Sequence, residues 1–231
     1  MKTLLLKFAG PLQSWGTDSH FEVRHTDLYP SKSAVIGLIA ACFGYRRDET
    51  QKIVQLNELD FAVRIDQQGE ILRDFQTATK YKGNKVDHTY VTNRYYIQDA
   101  IYIVAIGSEN EAWIDSIETA IRYPYFQPFL GRRSLPINVD FILNSNHEGV
   151  ISSLSNLEFQ GKIKKIEDSS IKLDVYADGH LIDGENSIMK QDRVISFSQK
   201  GRKFGFRSVK NMTMNIKIQK EEHDVFSSIG G

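Results

Sequence analysis

The order of elements predicted along this chain is strand, helix, strand, strand, helix, strand. That order gives an α+β protein whose first 145 residues form a ferredoxin-like (RRM-like) βαββαβ domain. Three observations predict it. Residues 100–106 form an apolar run long enough to lie inside a sheet. Residues 34–43 form a helix pattern that is apolar nearly all round, and 111–121 form an amphipathic one with Trp113, Ile114, Ile117 and Ile121 at helical spacing. Beyond residue 145 the pattern shifts to short alternating segments between Gly, Asp and Asn turns, which predicts a smaller C-terminal antiparallel β unit over 146–231.

Taken in order, residues 3–8 read as a buried strand stopped by Gly10-Pro11, followed by a polar loop to Pro30. Ser31 or Ser33 caps the first helix, and Gly44 ends it. A short amphipathic segment with Ile53, Val54 and Leu56 leads into a strand over 59–66. Gln67-Gln68-Gly69 signals a turn, after which 71–77 is expected to pair back. Residues 78–93 are polar and turn-rich, an insertion with no apolar face to bury. A single long strand is expected over 95–107, then the second helix and a strand near 137–143. In the last unit the strand segments are 171–176, 194–197 and 213–218.

Bulk composition narrows the classes. The 29 basic and 29 acidic residues cancel, so any binding of nucleic acid must rest on locally concentrated charge. Cys42 is the only cysteine, which excludes an internal disulfide and a thiolate zinc site; its apolar surroundings predict burial. The first eight residues are interrupted by Lys7 and run into Gly10-Pro11 too early for a signal peptide. No apolar run approaches the roughly 20 residues that cross a bilayer, so a cytoplasmic protein without membrane contact is expected.

Four segments hold side chains suited to a polyanion. In Gly10-Pro11-Leu12-Gln13-Ser14-Trp15-Gly16, Gln13 offers hydrogen bonds, and Trp15 offers either a face for base stacking or a lid on the core. Arg24 lies in the loop that follows. In the second segment, Gly131 precedes Arg132 and Arg133, so backbone can approach a phosphate while two guanidiniums grip it, unless the pair is simply solvated. The third spans 73–94, where five cations stand against two acids; Lys80, Lys82, Lys85, His88 and Arg94 alternate with tyrosines. The fourth spans 200–210, with five cations and no acid, and its Lys203-Phe204-Gly205-Phe206 partly matches an aromatic RNA-binding strand; Arg202, Lys203 and Arg207 are the candidates there. Acids crowd elsewhere, as at Glu221, Glu222 and Asp224.

Catalytic signatures are missing: there is no HExxH, P-loop, GxGxxG or GxSxG pattern. The six histidines have no metal-ligand spacing, so no metal or cofactor is expected. His20 and His25 flank Arg24, an arrangement that hydrogen bonding or burial explains more simply than acid–base cleavage of RNA.

Together and in order, these blocks resemble the CasD family of CRISPR-associated proteins. The resemblance is carried by the 10–16 segment and by Pro30-Ser31-Lys32-Ser33 with its glycine-spaced helix to Gly44. Arg94-Tyr95-Tyr96 and Leu130-Gly131-Arg132-Arg133-Ser134-Leu135-Pro136 complete it. It implies a ferredoxin-like domain with 78–93 as an extended hairpin thumb, and a non-catalytic subunit of a type I-E Cascade complex. That subunit binds the 5′ handle of the CRISPR RNA, contacts the backbone subunit CasC and the large subunit CasA, and meets target DNA only through the assembled complex. Lys32 and Ser33 join the expected RNA-binding residues on this ground. Relatives in type I-C systems are metal-independent endoribonucleases that process CRISPR precursor RNA with a Tyr, Lys and His set including an adjacent Lys-His pair. This sequence has no Lys-His dipeptide, although Lys80, Tyr81 and His88 keep that alternative open.

Overall fold

The computed structural model describes residues 1–16, 23–162 and 170–218. Strand β1 (Lys2–Ala9) has neighbours on both edges and packing on both faces, so its burial is almost continuous. The period of two sends Leu4, Leu6 and Phe8 into one core and Leu5 into another. The very short strands β2 (Leu12–Gln13) and β3 (Val23–Arg24) follow. Helix α1 (Lys32–Cys42) starts at Ser31, whose hydroxyl accepts from the Ala34 N–H, which settles the choice between the two possible caps. Helix α2 (Thr50–Gln55) and a 3-10 turn lead to β4 (Asp60–Gln67).

Strands β5 (Glu70–Lys82) and β6 (Lys85–Gln98) form a long hairpin, and β7 (Ile101–Ser108) returns to the centre of the molecule. Helix α3 (Glu111–Arg122) is capped by Asn110 and buries Ile114, Ile117 and Ile121. The remainder is β8 (Ile142–Asn146), α4 (Val150–Asn156), β9 (Ser170–Asp178), β10 (Ile188–Ser196) and β11 (Lys203–Lys217). The main sheet runs β10-β11-β9-β4-β7-β1-β8, each neighbouring pair antiparallel. Helices α1 and α3 pack on one face over Phe8, Phe61, Tyr102 and Val104; α4 packs on the other over Leu5, Ala62, Ile103 and Val175. The C-terminal strands are thus hydrogen-bonded into the same sheet, with Ala62, Val63 and Arg64 of β4 opposite Ala177, Tyr176 and Val175 of β9. Arg64, fully buried, holds α4 to that face: it pairs with both carboxylate oxygens of Asp66 at 2.7 and 2.8 Å and donates to the Leu157 and Glu158 carbonyls.

Several expectations need correction. The segment after Gly69 does not pair back on β4, because β7 and β9 already occupy both edges of β4; β5 pairs along its whole length with β6. The strand expected over 95–107 is two strands. The chain breaks at Asp99, with φ of 56°, where its N–H donates to the Pro11 carbonyl, and this moves β6 into a second sheet with β2, β3 and β5. Residues 78–93 lie on the β5–β6 hairpin, in keeping with the extended hairpin expected there, with a shift of register between Lys80 and Tyr81. The strand expected at 137–143 begins only at Ile142, and helix α4 was not foreseen. Segment 200–210 falls largely on β11, between β10 and β9. His20, His223 and the acids at Glu221, Glu222 and Asp224 lie outside the described residues.

Candidate nucleic-acid interface

The base of the β5–β6 hairpin collects arginines and aromatics from distant parts of the chain. Strand β6 supplies Arg94, Tyr95 and Tyr96, and β3 lies parallel to it with Arg24 opposite Arg94. A tight loop closes on them: the Leu130 N–H donates to the Leu135 carbonyl and the Leu135 N–H to the Arg132 carbonyl, both at 2.8 Å. Gly131, with φ of +88°, lies so close to the Ser14 carbonyl that a Cβ there would stand 1.6 Å from its oxygen. Only glycine fits that approach, and its conformation presents the next residue to β6.

Arg132 then donates from Nη2 to the Tyr95 carbonyl at 3.1 Å and the Arg24 carbonyl at 3.3 Å, with its guanidinium 4.2 Å from the Tyr96 ring centre. His25 stacks on Tyr95 at 5.5 Å and 14°. Arg24 and Arg133 are exposed beside them. Two guanidinium nitrogens of the cluster, Arg94 Nε and Arg132 Nη1, are buried with no hydrogen-bond partner among the described residues. Leaving a buried charged donor unpaired costs more than about 1–3 kcal/mol, so the cluster is electropositive and short of acceptors. Fork-shaped donors beside flat rings suit a phosphate with an adjoining base.

From this base the hairpin runs roughly 30 Å to its tip, at about 3.3 Å per residue from Arg94 to Lys85. Lys80 faces His88 across the ladder and Lys82 faces Lys85, with Asp87 at 3.5 Å from Lys80 as the nearby acid. His88 meets Tyr90 edge-on. Tyr81 pairs with Val86, just past a shift in the ladder register that follows Lys80. The ribbon also exposes Ile71, Phe75, Val86 and Val91.

Five expected contact residues are placed inside the protein instead. Gln13 is fully buried and donates from Nε2 to the Ala100 and Phe8 carbonyls. Trp15, 2% exposed, packs edge-on against Phe8 at 5.4 Å, which is the lid on the core rather than an open stacking face. Lys32 is paired with Asp178 at 2.8 Å, and Ser33 exchanges a hydrogen bond with Ser31. Arg207 spans Asp178 and Asp192. These last contacts form one buried group: Asp192 accepts from Arg207 through both oxygens and from the Lys32 N–H at 3.0 Å, while Asp178 accepts from Lys32 Nζ, Arg207 and the Phe61 N–H. Burial pushes the Lys32 ammonium below the usual lysine value despite Asp178. Burial acts on Arg207 in the same direction but loses to its two carboxylates, which hold the guanidinium above its usual value. Arg202 and Lys203 lie on the β10–β11 turn, on elements other than those of the Arg132 cluster.

His25, Tyr95 and Tyr96 are members of the candidate interface that charge-based reading passed over; the signal for the two tyrosines was the Arg-Tyr-Tyr run, and for His25 its place beside Arg24. No group of three or more metal-ligating side chains is found among the described residues. No described helix is long and apolar enough to cross a membrane.

The chain, with an antiparallel seven-stranded sheet and an arginine–tyrosine cluster at the root of its hairpin, is similar to known CRISPR-associated proteins. Residues 3–210 match the model of a CRISPR-associated protein family (Cas_Cas5), and the chain belongs to that family. It is 35% identical over 157 residues to the CRISPR system Cascade subunit CasD of Escherichia coli (strain K12), a match covering 62% of this chain and 70% of that one. In structure it is similar to a chain of a CRISPR RNA-guided surveillance complex, with 28% identity, a TM-score of 0.81 and coverage of 98% and 97% of the two chains. A solved Cas protein is similar at 27% identity and a TM-score of 0.68, over 94% of this chain and 98% of that one.

Proposed function

We propose that this chain is a non-catalytic RNA-binding subunit of a CRISPR Cascade surveillance complex, and that it holds the 5′ handle of the CRISPR RNA at the root of the β5–β6 hairpin. The observation that carries this reading is the cluster of Arg24, Arg94, Arg132 and Arg133 beside Tyr95 and Tyr96, with two buried guanidinium nitrogens lacking acceptors. The hairpin tip, with Lys80, Lys82, Lys85 and His88, acts as a thumb bridging RNA and a neighbouring subunit. CasC and CasA are the partners that the resemblance supports, with target DNA met only in the assembly. The order β8-β1-β7-β4, with α1 and α3 on one face, supports the ferredoxin-like reading of the central unit.

The test uses labelled repeat RNA in EDTA, with the chain alone and with the other Cascade subunits, read on native and denaturing gels. Intact RNA is expected, retained mainly in the assembly. Arg132→Lys, which keeps the charge and loses the fork, should weaken retention about tenfold, on the basis of about 1.5–3 kcal/mol for a hydrogen bond to a charged group. Site-specific cleavage that is lost in His88→Ala would replace this reading with the ribonuclease.

A further inference from the structure

A second cationic surface lies at the C-terminal end of α1. Arg46 and Arg47 follow Gly44 and are exposed, and Arg202 on the β10–β11 turn lies within electrostatic reach of Arg47, flanked by exposed Lys200 and by Lys203 at the start of β11. Arg202 rests on the rings of Phe197 and Phe204, with its guanidinium 5.8 and 5.3 Å from their centres. Burial there, and secondarily the charge of Arg47, pushes it below the usual arginine value. None of the three arginines forms an ion pair among the described residues. Glu49, the acid best placed in the turn, is engaged by Lys52 and by the Arg46 N–H.

Flat rings stand beside these charges. Arg46 lies 5.4 Å from the centre of Phe126, and Tyr125 meets Phe126 edge-on at 4.7 Å. Tyr125 is 68% exposed and Phe126 37%. Their position is fixed from below: the Tyr125 N–H donates to the Cys42 carbonyl at 2.9 Å and the Phe126 N–H to the Ala41 carbonyl at 3.2 Å, which satisfies the end of α1. Gly44 leaves the room, since a Cβ there would stand 2.7 Å from the Tyr125 ring.

We propose that Arg46, Arg47 and Arg202, with Tyr125 and Phe126, bind a stretch of single-stranded nucleic acid at a site separate from the Arg132 cluster. Arg46, Arg47 and Arg202, with Lys200 and Lys203, outnumber the nearby acids Asp48 and Glu49, and a polyanion relieves the repulsion that remains. Rings held rigidly at the same place supply the stacking surface that a strand uses and an acidic peptide does not. The site shares no residue with the cluster assigned to the handle, so the two readings stand or fall separately.

Anisotropy of fluorescein-labelled oligo(rU) and oligo(dT) dodecamers on the full chain tests it, with salt varied. Arg46→Ala/Arg47→Ala/Arg202→Ala should weaken binding about tenfold or more and lower the slope of log affinity against log salt by about 2, at roughly 0.7 per phosphate contact on a single strand. Tyr125→Ala/Phe126→Ala should weaken binding about tenfold, in line with stacking on alanine substitution, and leave the slope unchanged. Arg24→Ala/Arg133→Ala should leave both of these effects intact. Stronger binding of oligo(rU) assigns the site to RNA, and stronger binding of oligo(dT) to DNA. Photo-crosslinking of a 4-thiouridine dodecamer to the folded wild-type chain should label the peptide holding Tyr125 and Phe126. Unchanged affinity and slope in a folded triple variant would overturn the proposal. So would crosslinks confined to Tyr95 and Tyr96, or equal displacement of the strand by poly-L-glutamate at matched charge.

Discussion

Replacing Asp192 by alanine should unlatch the C-terminal strands from the helical face. Asp192 is fully buried and accepts three hydrogen bonds: from Arg207 Nε at 2.7 Å, from Arg207 Nη2 at 3.0 Å and from the first N–H of α1 at 3.0 Å. Without it, Lys32 and Arg207 share the single carboxylate of Asp178 in a pocket that Phe61 and α1 close. The balanced group of two cations and two anions becomes a net positive charge in low dielectric. Removing one partner of a buried pair typically costs about 3–5 kcal/mol. A domain of this size loses about 2–4 °C of Tm per kcal/mol, so the fall should lie between about 6 and 20 °C. Circular dichroism measures it, and hydrogen exchange should show the protection lost first on β10 and β11. The loss should persist in 1 M salt, because solvent ions screen buried charges poorly. A fall under about 2 °C, or one that salt abolishes, would refute the account of these residues as a sealed intramolecular clasp.

Three other outcomes follow from the same coordinates. Burial pushes the Cys42 thiol up to about 12, so Ellman's reagent at pH 8 should leave the native protein unlabelled and react once denaturant opens it; labelling of native protein at a free-thiol rate would contradict its burial. Gly131→Ala should cost at least about 1–2 kcal/mol from its left-handed backbone alone, and more from the Ser14 contact. That appears as a lower Tm together with weaker RNA retention, since Arg132 is positioned by the same loop. Lys82→Glu/Lys85→Glu, at two exposed positions of the hairpin tip, should leave Tm within the change expected of about 0.5 kcal/mol at the surface. It should nevertheless reduce RNA retention by the assembled complex; retention equal to wild type would remove the tip from the interface.

What the sequence made legible was whatever one buried face dictates. The periodicity over 111–121 and a serine cap at 31 or 33 were readable because an apolar stripe and a hydroxyl at a helix entry act locally. Periodicity alone did not show the hairpin over 78–93, which only the family resemblance implied, because both faces of that ribbon are solvated and period-two alternation has no hydrophobic side to mark it. The break at Asp99 was hidden for the opposite reason: apolar residues continue on both sides of it, and only a hydrogen bond to Pro11 turns the chain. For the interface, local sequence showed charge but not its partner. Lys32 and Arg207 look like phosphate ligands until strands more than a hundred residues from Lys32 bring Asp178 and Asp192 to them. Arg24, Arg94 and Arg132 also lie far apart in sequence, and only the parallel pairing of β3 with β6 and the close approach at Gly131 gather them. Trp15, open to two readings in sequence, is settled by Phe8.

Strand β6 is one continuous piece of backbone that carries Lys85 at its far end and Arg94 and Tyr95 near its root, pinned there by buried Tyr96 and Ile97. A free two-stranded ribbon is only marginally ordered in water, so its twist and pitch are set by whatever holds its ends. Gripping the tip therefore narrows the range of orientations available to Arg94, and occupying the root narrows those available to the tip. Thermodynamic reciprocity makes the two effects equal in free energy. Under the proposed function, RNA at the root and a subunit at the tip would each lower the ordering cost of the other, whichever arrives first.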